Sequence, residues 1–182
     1  MNMRKTISNT ALWILLLTAA CSAQSIATQT QTVNAQINAM GSIVTVPGTV
    51  TLTTGGLNFQ NYTGSLSVSY RARTTSSGGG NLTVQGTTEF SPTGGPQISA
   101  GALTYTCSGA TLGSACSGQQ TMSMAAATNV TIIPSSACTG SAPCPLNTPD
   151  PNQVVLGLSL TNDPAYSTGT YSAAILFTIS AT

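Results

Sequence analysis

The chain has 182 residues, of which 4% are charged, against roughly 25% in an ordinary soluble domain. It contains no histidine, and beyond residue 23 the ionisable inventory shrinks to two cations, Arg71 and Arg73, and three carboxylates, Glu89, Asp150 and Asp163, a net charge of −1. Histidine catalysis is therefore excluded, and so is recognition of a phosphate backbone through basic contacts.

The polarity that remains is not ionic. Ser and Thr make up 53 residues, whereas Lys and Glu occur once each. β-Branched Thr among alternating apolar positions favours strands, and little is left from which to build surface helices. The composition predicts an all-β chain. Disorder is the competing reading, but 41% of the residues are hydrophobic and the net charge is small, which argues against it.

Arg4 and Lys5 precede an apolar run, Ala11 to Ala20, that meets the small residues Cys21, Ser22 and Ala23. This basic, apolar, small order predicts a secretory signal peptide over residues 1–23, cleaved after Ala23. The run is too short for a bilayer core of about 30 Å, so no transmembrane segment is expected in the mature chain. Thr18-Ala19-Ala20-Cys21 also admits a lipoprotein signal with Cys21 as the lipidated residue. Either way the expected address is the cell surface or the medium, with the periplasm in transit, and residues 24–182 form a single domain.

The mature segment opens with an alternation that predicts a half-buried strand, Val33, Ala35, Ile37 and Ala39 on one face and Asn34, Gln36 and Asn38 on the other. Ile43 to Val46, then Val50 and Leu52, give short strands on either side of the Pro47-Gly48 turn. Leu66, Val68, Tyr70 and Ala72 alternate next, with Arg71 and Arg73 on the opposite face. Leu82, Val84 and Phe90 mark a following strand, and Ile98, Ala100, Leu103 and Tyr105 another, interrupted at Gly101. Met122, Met124 and Ala126, then Val130 and Ile132, follow the same period. Residues 135–152, with four prolines, predict an irregular loop. Val154 to Leu160 and a terminal strand of Tyr171, Ala173, Ile175, Phe177 and Ile179 close the chain. Eight to ten strands with turns every 8–12 residues or so predict an antiparallel β-sandwich, immunoglobulin-like in outline.

Four cysteines beyond Cys21 form two local pairs, Cys107 with Cys116 and Cys138 with Cys144, each closing a short loop; cross-pairing of the two loops is the alternative. Their spacing, without histidine, does not suit zinc, and three scattered carboxylates do not suit calcium. Neither a metal nor a cofactor is expected. Asp150 and Asp163 stand before prolines, as in turns whose Asp bonds nearby amides. Arg71 and Arg73 offer a small anionic contact, solubility, or a pair with Glu89. Glu89 can serve a glycosidase dyad only beside a second carboxylate across a cleft.

The opening VNAQINAMGSIVTV with the later LNF, and the closing STGTYSAAILFTISAT, resemble the two ends of the secreted spore coat protein U-like group and related bacterial pilin-like domains. Asn58 and Gln60 depart from that group's Asp and Gly. The resemblance covers about a third of the chain and implies an exported sandwich, sometimes assembled into fibres by exchange of an N-terminal strand. Such exchange is β-strand addition. Val33, Ala35, Ile37 and Ala39 are the exchange candidates, the other possibility being a domain that completes itself. The expected function is that of an exported, non-enzymatic structural or adhesive surface protein, a pilus-like subunit whose partners are copies of itself or a pilus chaperone. The alternative is a monomeric carbohydrate- or surface-binding module.

Overall fold

The computed structural model describes residues 31–56, 58–140 and 149–182. The chain divides into two units, Met1–Ala35 and Gln36–Thr182. Of the first, residues 31–35 are described and are exposed. The expected signal peptide, with Cys21, and also Leu57 and Cys144 lie outside the described residues.

The second unit is all-β. Its strands are β1 (Met40–Thr45), β2 (Tyr62–Arg73), β3 (Gly80–Gly86), β4 (Leu103–Ser108), β5 (Ser114–Ala115), β6 (Gln120–Thr121), β7 (Thr128–Ile133), β8 (Asn152–Leu160) and β9 (Ile175–Ala181). They form two antiparallel sheets, one in the order β1-β2-β8-β4-β6 and the other β5-β7-β3-β9. The alternation of β2 and β8 dictates their register: Leu66 faces Leu156 and Val68 faces Val154, so the apolar residues of both strands share the inner face. Leu82 and Val84 of β3 close over them from the second sheet, and all of these side chains are buried. Full burial of such a residue stabilises the fold by about 1.5–3 kcal/mol relative to exposure.

The departures from simple alternation have local causes. A register shift between Leu82 and Thr83 inserts one extra residue into β7, so Val130 and Thr131 are both buried and Ile132, expected beside Val130 in the core, is 54% exposed. Ile133 takes the core position instead. β3 ends at Gly86, so Phe90 lies in the following loop. Residues 98–101 form a turn rather than a strand, because the Glu89 carboxylate accepts the amide N–H groups of Ile98 (2.6 Å) and Ser99 (2.9 Å) and caps it. The stretch from Met122 to Ala126 is also irregular, and β9 starts only at Ile175. Tyr171 precedes it in a loop, where its hydroxyl donates to the Ser167 carbonyl.

The largest difference lies at the beginning. Residues 33–39, read as a half-buried strand, belong to neither sheet; Val33 is 86% and Ile37 72% exposed.

Candidate functional site

The two sheets end differently on their two sides. On one side the short edges β5 and β6 are tied down by the Cys107–Cys116 disulfide, which joins β4 of the first sheet to the residue following β5 of the second, with Cα atoms 5.2 Å apart. The Cys116 amide also donates to the Val130 carbonyl at 2.9 Å. This pairing removes the cross-paired alternative. Cys138 is disulfide-bonded as well.

On the other side lie β1 and β9, the last strands of their sheets, which approach one another without pairing. The approach is tightest at Gly41: a Cβ there would meet Ile179 at 3.0 Å, so a residue without a side chain lets the edges close at this point. Elsewhere along the seam burial is incomplete. Ile175, Phe177 and Ile179 face Gly86, Val84 and Leu82 across the β3 ladder, yet each stays half-buried, as do Ile43, Val46, Val50 and Leu52 on the β1 side. Their counterparts in β2, β3 and β8 are fully buried. These half-buried residues pack against the core and keep part of their surface exposed.

The β9 backbone repeats the pattern. It is paired with β3 along one edge from Ile175 to Ala181, and among the described residues no strand lies along the other. Edge strands are ordinarily blunted by lysine, proline or an inward charge. ILFTISA contains none of these, and Leu176 adds 53% exposure on the outer face.

The charged groups are spent elsewhere. Arg71 Nε pairs with Asp150 Oδ1 at 2.5 Å, both side chains about half exposed, a contact worth at most about 1 kcal/mol. Asp163 Oδ1 accepts the Ala165 amide at 2.8 Å in its own turn. Glu89, bound to the 98–101 turn, pairs with neither arginine. Hydrogen bonding from the Ser99 hydroxyl, opposed by desolvation and helped by the Ser99 and Ile98 amides, holds its carboxyl below the ordinary glutamate range. Burial raises the Tyr70 and Tyr105 hydroxyls above the usual phenol range. Both rings are in the core, which leaves few tyrosines for an aromatic sugar platform. No cluster of three His, Cys, Asp or Glu exists among the described residues. Nor, among them, is any helix long and apolar enough to cross a membrane.

Arg73, expected to serve an anionic contact, solubility or a pair with Glu89, has a structural partner that the sequence does not reveal. Its Nε donates to the Asn38 carbonyl at 2.9 Å, at the point where the exposed segment enters β1. No sequence signal marks this link, because the acceptor is backbone.

No family model, curated protein or solved structure matches the chain.

Proposed function

We propose that this chain is an exported, non-enzymatic structural protein of the cell surface, a pilus-like subunit that assembles by β-strand addition, with Val33–Ala39 of one copy adding along β9 of the next. One observation carries the reading: an uncharged edge strand whose outer side no described strand covers, with a half-buried apolar row, in a chain that also carries an exposed segment of the same two-residue period. Strand addition meets both needs, since the incoming backbone satisfies the free ladder groups and its alternate side chains enter the seam. Residues 36–39 run into β1 with no reversing turn and do not fill the seam of their own copy. The signal-like N-terminus and the disulfides support export. A carrier protein lending its own strand to β9 in transit is the matching role for a chaperone.

The test is the assembly state of the oxidised mature chain, by size-exclusion chromatography and electron microscopy, with and without residues 24–40. Elongated assemblies that vanish on truncation are expected. A strictly monomeric mature chain, unchanged by the truncation, overturns the reading.

A further inference from the structure

Strand addition uses the apolar face of the exposed segment, and the contacts on its polar face lead to a further residue. Gln36 Nε2 donates to Asn38 Oδ1 at 3.1 Å, a bond between side chains two residues apart. In an extended chain such residues lie on the same face, so this bond favours the extended backbone. Arg73 Nε, donating to the Asn38 carbonyl at 2.9 Å, fixes the base of the same segment to the end of β2. The ion pair among the described residues belongs to Arg71 and Asp150, so Arg73 is not drawn away by a carboxylate within 4 Å. Its backbone faces Met40, the first residue of β1, and its guanidinium thus reaches back over the entry point.

We infer that Arg73 is a positioning residue for assembly, holding the Gln36–Ala39 segment extended with Ile37 exposed so that less chain freedom is lost when a second copy receives it. The inference rests on the strand-addition reading. Pre-organising a binding segment strengthens and speeds association without adding a contact to the partner. A cationic donor on a carbonyl gives a stronger hold than a neutral pair, which selects Arg73 over Gln36 as the main anchor.

Two measurements separate this inference from the reading beneath it. The first is local order: 15N heteronuclear NOE values for Gln36 to Ala39 in a chain kept monomeric by Ile37→Asp, with Arg73 present or replaced by alanine. The values are expected to fall in Arg73→Ala and to recover in Arg73→Lys, whose ammonium can donate to the same carbonyl, while the melting temperature stays put. The second is the assembly half-time of Arg73→Ala with Ile37 intact, expected to lengthen about fivefold, with Arg73→Lys again restoring it. Unchanged NOE values overturn the anchor, and lowered values with an unchanged half-time overturn its role in assembly. A wild-type chain that never assembles overturns strand addition itself, while the NOE comparison still reads the anchor. Should Arg73→Ala fail to fold, Arg73→Gln, which keeps most of the stem, takes its place in both measurements.

Discussion

Replacing Ile37 by aspartate tests the seam most directly, because the residue is 72% exposed in the subunit and becomes buried only if a second copy accepts it. Burying an isoleucine side chain is worth about 2 kcal/mol. An aspartate in its place forfeits that gain and takes a charge into the seam at a further cost of about 2–3 kcal/mol. Neither β1 nor β9 contains a cation, and Arg71 and Arg73 lie on the outward face of β2, so the new carboxylate finds no partner inside. A combined loss of about 4 kcal/mol corresponds to roughly a thousandfold rise in the concentration needed for assembly. Analytical ultracentrifugation of the oxidised mature chain across a concentration series reads this shift. The folded subunit is expected to melt as before, since an exposed position changes stability by no more than about 0.5 kcal/mol. Asn34→Asp carries the same charge on the opposite face and is expected to weaken assembly by less than about tenfold. Ile37→Asp assembling at wild-type concentrations, or Asn34→Asp being equally damaging, refutes the reasoning.

Glu89 supplies an acid-sensitive contribution. Its folded-state carboxyl titrates below the ordinary value of 4.5, so its stabilisation is present above that value and disappears as pH falls through the depressed one. Thermal melts between pH 7 and pH 3 are expected to show this loss in the wild type and a smaller acid slope in Glu89→Gln. Cys107 and Cys116 are 9 residues apart, and in the chain-entropy picture opening a loop of that size costs about 2–3 kcal/mol. The double serine variant is expected to melt about 5–10 °C lower by calorimetry. Thr131 Oγ1 is buried without a hydrogen-bond partner, while the Tyr70 hydroxyl donates to the Leu112 carbonyl. Thr131→Val is therefore expected to match or exceed wild-type stability by up to about 2 kcal/mol in urea unfolding, and a clear loss would show that the hydroxyl is satisfied.

The legible parts of the fold were those in which alternation alone decides burial. β2 and β8 run for 12 and 9 residues with an uninterrupted two-residue period over most of their length, and a one-residue slip would turn their leucines and valines to solvent. β7 was less legible. Val130, Ile132 and Ile133 are all apolar, so composition does not reveal where an extra residue enters; the ladder with β3 decides it, and Thr131 is left buried as the consequence. The turn at 98–101 was misread for a similar reason. Ile98 has strand-like spacing from Ala100, but the carboxylate that caps the turn comes from Glu89, nine residues earlier in the chain, which no local window connects to it.

The segment from Val33 to Ala39 exposes a more general limit, and that limit supports the functional reading. Alternation reports that a strand has a face to bury; it does not report which molecule provides the cover. A disulfide joins the two sheets on one side, and on the other no strand among the described residues covers the outer edges of β1 and β9. If the exposed segment merely awaited folding onto its own β9, the residues joining it to β1 would need to reverse direction. They instead pass straight into Met40, beside an arginine that holds the entry point. The proposed repeating unit uses two features of the described residues, the uncovered edge of β9 and the exposed segment that enters β1. In the proposed assembly each copy presents what the next accepts, and such a contact is heterologous, so it continues along a filament where a two-fold pairing of edges stops at a dimer.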